Sequence, residues 1–577
     1  MSYFDDASLV MIPSGYKTSK VYSVKPTDGS GDLDFTRTGD TATRVNSAGL
    51  IERVRTNLIL QSNTFSNAAW TKANLGIGSV AVLTPNYTTD PFGGNNAWRF
   101  ECNLNGGTTP TDRSWMFQSI SAVANSSVSI YIKLNVAGSK TIILSNAGGD
   151  VVTLTSTNWV RISTFVAGSA GEFRIGLIGG FSSDTLDCSI AFAQVETGDI
   201  ATDYIPTTTA AVSVGPVANV PRLDYLGSTC PRLLLEPQRT NLTQYSEQLN
   251  NAYWNKSGGT ITANSTASPD GYVNADLFTE SATTADHAFF DVVSYFVAGT
   301  TYTASFFVKA NGRTKIQLSS ANSDTCPRGQ FDLVALTATP VGASFNAKIE
   351  SYGNGWYRCS VSRVAPNTGL DLPYYAMNTT FASNSYAGNG TSGMYFWGMQ
   401  MEAGAYATSY IPTLAASATR GADACSKTGI SSLIGQTEGT VFGEFTFTGN
   451  TPLMHMFVST AGDYSNAVYV QTYSSTGISM QVWSGASNQV AIDSSGLTVG
   501  QNVKFAAAYK NNDFAFYVNG VQIGLDTSGT VPSGLSQIEV GNYAAAGSPF
   551  DFNSSMKQAL LFKTRLTNAE LAELTAL

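Results

Sequence analysis

Charge is what this sequence has least of. Asp, Glu, Lys and Arg make up 13% of its 577 residues, about half of the ~25% usual for globular domains. The formal charge of −9 gives no basic footprint of the kind nucleic acid requires. There are only two histidines, His287 and His455. A His-based zinc site or a Ser-His-Asp triad therefore has few candidates, and each His reads as an ordinary surface or core residue. The six cysteines, Cys102, Cys188, Cys230, Cys326, Cys359 and Cys425, lie far apart with no CxxC. That spacing suits buried free thiols rather than a disulfide scaffold. No apolar run approaches the ~18 residues of a membrane span. No Gly-rich phosphate loop follows a strand and opens a helix. EF-hand spacing is missing, so metals stay unassigned. Nowhere does Glu-x-Asp-x-x-Glu occur, the strand that puts both carboxyls of a sandwich glucanase on one face. Hence no catalytic residue is assigned and no cofactor is implied. The start, Met1 to Asp6, lacks the basic and apolar regions of a signal peptide, which leads to the expectation of folding in a reducing cytoplasm.

What is abundant is Ser, Thr, Asn and Gly, with 26 Tyr and 30 Phe, a mixture suited to sheets with long turns. The length suggests about three to five domains. Most of it is organised by a duplication. Arg55-Thr56-Asn57-Leu58 returns 184 residues later as Arg239-Thr240-Asn241-Leu242. Each copy is followed at the same distance by an aromatic anchor and a lysine, Trp70 with Lys72 and Trp254 with Lys256. Each copy also closes alike. Gln194-Val195-Glu196-Thr197-Gly198 leads to Tyr204-Ile205-Pro206-Thr207, and Gln400-Met401-Glu402-Ala403-Gly404 leads to Tyr410-Ile411-Pro412-Thr413. Between the ends, Ser129 to Lys133 echoes Ser305 to Lys309, and Trp159 to Ser163 echoes Trp356 to Ser360. The offset drifts, so insertions sit in loops.

The chain divides on this basis into a docking or oligomerisation arm at 1–54, a first β-sandwich repeat at 55–206 and a connector at 207–238. A second repeat follows at 239–412, a connector at 413–437 and a third β domain at 438–577. The alternative for the arm is a frayed leader to the first repeat. Alternation from Ser127 to Leu134 puts Val128, Ile130, Ile132 and Leu134 on one sheet face. Asn519-Gly520 is a type I′ hairpin turn. Thr567 and Glu570 have capping-box spacing, which predicts a short C-terminal helix. The expected fold class is all-β, with tandem antiparallel β-sandwich (jelly-roll) domains, a short N-terminal arm and a short C-terminal helix. Ala418-Thr419-Arg420 echoes Ala42-Thr43-Arg44, and both fall in connecting chain.

Two resemblances follow. The hairpin at 517–520, the strand at 538–541 and the ending from Phe562 to Leu571 are similar to the concanavalin A-like, LamG-type jelly roll. Family members carry a glycine at the penultimate strand, which here is entered through Phe552-Asn553-Ser554-Ser555-Met556. This fold hosts lectins, hydrolases and adhesive modules alike. The run from Cys230 to Leu242, the Trp-Lys pairs and the Tyr-Ile-Pro-Thr endings resemble carbohydrate-binding-module-like sandwiches of phage fibre and spike proteins. That resemblance implies a virion protein of a tailed phage that faces the host. It is assembled in host cytoplasm and exposed after release, and such fibres are commonly homotrimers. Its implied partners are a host-surface glycan and, through the arm, other virion proteins.

Sugar binding by such sandwiches stacks an aromatic face on a pyranose ring, flanked by amide and carboxylate hydrogen bonds. The duplicated Trp70, Trp254, Trp159 and Trp356 read as core anchors. Trp98 and Trp115 are not duplicated, since Asp276 and Ala288 occupy the matching positions, and Trp483 stands in the third domain. These three are the candidates for an exposed ligand platform. Arg55 and Arg239 read as heads of a side-chain-to-backbone network. The expected role is adhesion without catalysis. The rivals are a capsule-degrading enzyme, with two close acids in a groove, and an architectural fibre without ligand.

Overall fold

The computed structural model describes residues 3–145, 150–198, 200–291, 294–320, 325–449, 453–460, 464–541 and 554–577. Met1, Ser2, Phe552 and Asn553 lie outside them. Antiparallel strands dominate, and the chain forms two compact units, Val54–Gly215 and Met1–Arg53 with Pro216–Leu577.

The first unit is the first repeat. Its two longest strands, Arg113–Leu134 and Val160–Ile178, each serve both layers of a sandwich. One layer runs Thr71–Leu75, the start of Arg113–Leu134, the end of Val160–Ile178, Lys140–Ser145 and Val151–Leu154. The other runs Val82–Thr88, Ala97–Asn103, Thr185–Thr197, the end of Arg113–Leu134 and the start of Val160–Ile178. The second repeat has the same neighbour order. Trp254–Ser257, Ala288–Asp291, Pro373–Asn378, Lys315–Ser320 and Gly329–Asp332 form one layer, which Thr337–Pro340 extends. Gly259–Ala267, Val273–Glu280, Gly393–Ala403, Thr301–Asn311 and Tyr357–Val364 form the other, which Ser344–Ser351 extends. Val128, Ile130, Ile132 and Leu134 all point into the core as expected. Burying each such side chain contributes roughly 1.5–3 kcal/mol.

The repeated opening motif owes its persistence to asparagine. Asn57 is fully buried and donates to the carbonyls of Ala193 (3.2 Å) and Ile205 (2.8 Å). Its oxygen accepts the N–H groups of Ile59 (3.1 Å) and Val195 (3.2 Å). Asn241 repeats this with Met399 (3.0 Å), Ile411 (2.9 Å), Thr243 (3.1 Å) and Met401 (3.1 Å). A carboxamide has two donors and two lone pairs, and both copies fill all four with backbone. The closing motif meets it there. Gln194 accepts from Ile205 N–H (2.7 Å) and Gln400 from Ile411 N–H (2.7 Å). Trp70 and Trp254 are core anchors as read, donating to Gln61 and Tyr245 carbonyls at 3.0 and 3.1 Å.

The rest of the second unit is a jelly roll larger than residues 438–577. Leu9–Met11 pairs with Ser554–Phe562 in one sheet, and Arg222–Asp224 with Arg232–Leu235 extends that sheet. Lys20–Val21, Leu33–Thr36 and Ala424–Thr428 enter the opposite sheet through Gln537–Val540. The 1–54 arm and both connectors thus differ from the sequence expectation: they supply strands to the sandwich, because the domain's own strands leave edges that they pair. The Ala-Thr-Arg echo is likewise not a structural one. Ala418–Arg420 pairs with Arg239–Asn241, the place that Val212–Val214 takes beside Arg55–Asn57. Asn519 and Gly520 have φ of 49° and 80°, as a type I′ turn demands. The helix Asn568–Thr575 starts with the expected capping box of Thr567 and Glu570.

A buried ionic cluster ties these segments together. Arg222 meets Glu236 (2.6 Å), Asp423, the Ser409 hydroxyl (2.8 Å) and the Thr43 carbonyl (3.1 Å). Arg420 meets Glu236 (3.0 Å) and the Pro237 carbonyl (2.6 Å). Arg37 reaches Asp423 (3.2 Å) and the carbonyls of Pro216 and Val217 (both 2.6 Å). His287 and His455 are core residues, and His455 stacks on Phe445 at 3.8 Å. Five cysteines are buried free thiols as expected, while Cys230 is exposed.

Asn241→Leu keeps the volume and strands four buried backbone groups. At ~1–3 kcal/mol each before relaxation, it should destabilise the second unit by about 3 kcal/mol or more, read as a lowered denaturant midpoint. The cluster also sets acid sensitivity. Burial pushes Glu236 up, but Arg420 and Arg222 hold it down to about 2 from 4.5. The folded state therefore binds fewer protons than the unfolded one in that window. The contribution is complete above pH 4.5 and lost as pH falls towards 2. Amide exchange in Arg232–Leu235 and Ala418–Arg420 should rise over that range, while Glu236→Gln, which takes the ion-pair partner from buried Arg420 at a cost of ~3–5 kcal/mol, should raise it already at pH 7.

Candidate functional site

Two of the three tryptophans expected to form a platform are packed away, and the third is half-buried. Trp98 is 7% exposed, donates to the Asn63 carbonyl (3.0 Å) and meets Phe65 edge-on. Its neighbours along Ala97–Asn103 leave it facing the core. Trp115 is 9% exposed because Arg113 and Arg174 cover its ring, each with its guanidinium 5.6 Å from the centroid. Trp483 packs half-buried beside the Phe457–Tyr469 cluster. Trp98 and Trp115 are thus packing residues rather than platform, while Trp483 keeps part of its surface exposed.

The aromatic surface lies elsewhere, on the outer face of the first repeat. Since Ile130 and Ile132 point inward, Ser129, Tyr131 and Lys133 point outward. Across the sheet, Tyr131 pairs with Arg161, whose guanidinium lies 5.4 Å from the ring and donates to the Ser129 hydroxyl (3.0 Å). Trp159 donates to the Thr89 carbonyl (2.9 Å), and the Lys133 ammonium sits 5.2 Å from its ring. All of Tyr131, Lys133, Trp159 and Arg161 are half-buried. Next to them three rings stack. Tyr204 lies under Phe192 (4.7 Å), and Phe192 lies under Phe92 (5.1 Å, planes 29° apart). Phe92 tops the pile and is 64% exposed.

Both supports of that pile are built. Asp90 accepts from Phe92 N–H (2.8 Å), Gly94 N–H (3.1 Å) and the Asn96 amide (3.1 Å), so the loop carrying Phe92 is closed on a carboxylate. Phe192 sits at a bulge with φ of 60°, and Asn63 accepts its N–H at 2.9 Å. A bulky side chain at positive φ is an outlier that costs about 1–3 kcal/mol and calls for a reason. Beyond the rings runs a polar chain. Ser189 donates to Asn135 (2.7 Å), Asn135 to Asp187 (2.6 Å), and Arg99 clasps Asp187 with two bonds (3.0 and 2.7 Å). Arg99 thereby holds the Asp187 carboxyl below its usual range.

The second repeat has the same face, covered. Phe307, Trp356, Arg358 and Tyr410 match Tyr131, Trp159, Arg161 and Tyr204 in sequence. Trp356 donates to the Ala267 carbonyl (2.9 Å) and Arg358 to the Ser305 hydroxyl (2.9 Å), repeating the anchors of the first face. Here, however, the hairpin formed by Thr43–Val45 and Ile51–Arg53 lies on the rings. Val45 and Ile51 pack among Phe307, Trp356, Trp397 and Tyr410, Ile51 N–H bonds the Pro269 carbonyl (2.9 Å), and Arg53 holds Glu247 (2.8 Å). Where the first repeat has Phe192, this one has Gly398 at φ of 62°. Duplication thus made Trp159 read as core, which is true of its twin alone. Phe92, Tyr131 and Phe192 carried no sequence signal, because ring positions outside a motif do not reveal which face they share.

No protein-family model matches the chain, and no curated protein matches it in sequence. Solved structures give loose overlays. The CBM40 of the Ruminococcus gnavus IT-sialidase bound to α2,3-sialyllactose is 15% identical, over 25% of this chain and 84% of its own, with a TM-score of 0.23. Domains LG4-5 of the mouse laminin α1 chain are 14% identical, over 46% and 85%, with a TM-score of 0.19. A Trypanosoma rangeli sialidase in complex with 2,3-difluorosialic acid is 10% identical, over 99% and 98%, with a TM-score of 0.22. Overlays this loose carry no argument about ligand or activity.

A Cβ at Gly398 would meet the Phe307 ring at 2.8 Å. Gly398→Ala should therefore destabilise the second repeat by about 1–3 kcal/mol through strain and overpacking, measured by chemical denaturation. Phe192→Gly relieves ~1–3 kcal/mol of strain but deletes a buried ring worth ~3–5 kcal/mol, so it should loosen Phe92 and lower the midpoint modestly.

Proposed function

We propose that the first repeat binds carbohydrate across its outer face, and that the chain is a fibre or spike subunit displaying this face to a host surface glycan. The observation that carries the reading is the contrast between the twin faces. The same sheet face is filled by the chain's own hairpin in the second repeat, and in the first it carries exposed Phe92 on a strained ring pile beside Trp159. Phe92 and Trp159 supply flat apolar surface for pyranose C–H groups, worth roughly 0.5–1.5 kcal/mol each. Lys133 and the Asn135–Asp187 chain supply hydrogen bonds that fix orientation. Each site is weak alone, and many copies on one particle make it strong. The virion setting rests on the phage-fibre resemblance of the repeats, as do assembly into homotrimers and exposure on the released particle. Residues 1–54 are engaged in the sandwich, so attachment to other virion proteins is not assigned to them.

The reading is of binding without cleavage. On this face the acids Asp187 and Glu101 both contact Arg99, at 2.7 and 3.0 Å. Asp187, whose carboxyl Arg99 holds below its usual range, is thereby a poor general acid near neutral pH.

The test is adsorption of the purified full chain to intact candidate host cells, with and without their surface polysaccharide. Binding should vanish with the polysaccharide. Phe92→Ala with Trp159→Ala should weaken it at least tenfold, about 1.4 kcal/mol, while Trp483→Ala should leave it near the starting value. Unchanged adsorption by the double variant would remove the face from the account. Release of oligosaccharide during the incubation would replace adhesion by hydrolysis.

A further inference from the structure

The second unit contains a groove of its own. Its wider part, a cavity of about 300 Å³, is bounded by Asp224, Arg232, Tyr352, Thr446 and Thr448. A narrower part of about 200 Å³ continues past Asn346, Lys348, Tyr406 and Ser475. Glu350, Ala407 and Thr448 line both, so the two adjoin. Its walls come from the second repeat, the jelly roll and the strands near Asp224. These are the segments pinned by the buried arginines, so the passage is preformed.

The lining chemistry is selective. The formal charges at the wider part balance, with Arg44, Arg232 and Arg358 against Asp224, Glu236 and Glu350. Asp224 accepts the N–H groups of Val45 (2.7 Å) and Leu226 (3.1 Å). Arg44 bonds Glu52 (2.7 Å), Arg232 donates to the Thr446 hydroxyl (3.2 Å), and Glu236 lies between Arg222 and Arg420. Glu350 stands opposite Arg358 in the strand register and shares a face with Lys348 two residues away. Beside them the lining offers hydroxyls, the Asn346 amide and the Tyr352 ring as apolar wall. Thr448, at the seam, has a buried hydroxyl oxygen with no partner among the described residues. Leaving such a group unpaired costs about 1–3 kcal/mol, which a turn of the Thr448 side chain onto a ligand hydroxyl would recover.

We propose that this groove is a second saccharide site, independent of the sheet face, and that it takes a short neutral sugar chain. A lining whose formal charges balance gives no net attraction to an anion or a cation. The combination of many hydroxyls, one ring wall and a volume at the lower end of ligand pockets fits neutral sugar units.

The experiment is saturation-transfer NMR on the full chain carrying Phe92→Ala and Trp159→Ala, which removes the sheet face as a source of signal. The probes are free glucose, galactose, N-acetylglucosamine and a short linear glucan, with glucuronic and sialic acids as charged controls. At least one neutral probe should give transfer. That transfer should fall at least tenfold when Thr448→Trp fills the seam, and also when Ser475→Trp obstructs the narrow part. Ser475 lies in an exposed turn, so that variant reports even if the seam variant fails to fold. Transfer to charged probes alone, transfer unchanged by Ser475→Trp and by a folded Thr448→Trp, or no transfer from any probe would each overturn the proposal. Because the face is disabled throughout, these outcomes are separate from the fate of the adsorption experiment.

Discussion

Arg222, Arg420 and Arg37 lie buried and, among the described residues, form ion pairs with two carboxylates, Glu236 and Asp423. Taking such charges out of water is costly unless the geometry is very good and the remaining donors are bonded. Here the surplus donors go to backbone carbonyls at Thr43, Val220, Pro216, Val217 and Pro237. Those carbonyls belong to segments far apart in sequence. The cluster can be satisfied only when the start of the chain, both connectors and the second repeat are all in place. This is why the second unit is assembled from Met1–Arg53 together with Pro216–Leu577. The bond to Thr43 also fixes where the hairpin over residues 43–53 begins, and so holds it against the rings of the second repeat. One set of buried ions therefore decides which of two duplicate faces is covered.

The duplicate faces show how little has to change for a core to become a surface. Both keep an arginine over an aromatic ring, a tryptophan tied to a loop carbonyl and a tyrosine bonded to a serine hydroxyl, Tyr204 to Ser62 and Tyr410 to Ser246. In the second repeat Glu247 receives Arg53 of the hairpin. In the first, Asn63 stands at that position and instead holds the Phe192 N–H. The backbone bend is common to both, with Phe192 and Gly398 within a few degrees of φ.

Much of the fold was legible because it rests on local pattern. Alternation found the inward row from Val128 to Leu134, Asn519-Gly520 found its hairpin, and Thr567 with Glu570 found the helix start. The duplication found two matching sandwiches. It did not reveal which residue of Arg-Thr-Asn-Leu matters. Arginine is the more conspicuous, yet Arg239 is half-buried beside Tyr406 while Asn241 carries the buried network. Four adjacent repeated residues look alike until the strand's facing is known. The connectors were misread for another reason. Strands such as Arg222–Asp224 and Arg232–Leu235 are three and four residues long, and their sheet is completed by a strand more than three hundred residues later. The site was the least legible part. Trp98 and Trp115 were singled out for not being duplicated, but a lone tryptophan can fill a core or lie under two arginines.

Cost decides between the readings of the open face. An exposed ring such as Phe92 gains little for stability, and Phe192 beneath it keeps a strained conformation that glycine would adopt freely. If the face served packing alone, glycine at the bulge and an aliphatic cover, as in the second repeat, would be the cheaper solution. That solution is used within the same molecule, with Gly398 at the bulge and Val45 and Ile51 as the cover. The first repeat instead spends backbone strain, an Asp90-closed loop and the Asn63 bond on holding one ring outward. Such expense is coherent if the ring meets something outside the chain, and a flat apolar ring flanked by an ammonium and an amide suits the alternating C–H and hydroxyl surface of a sugar.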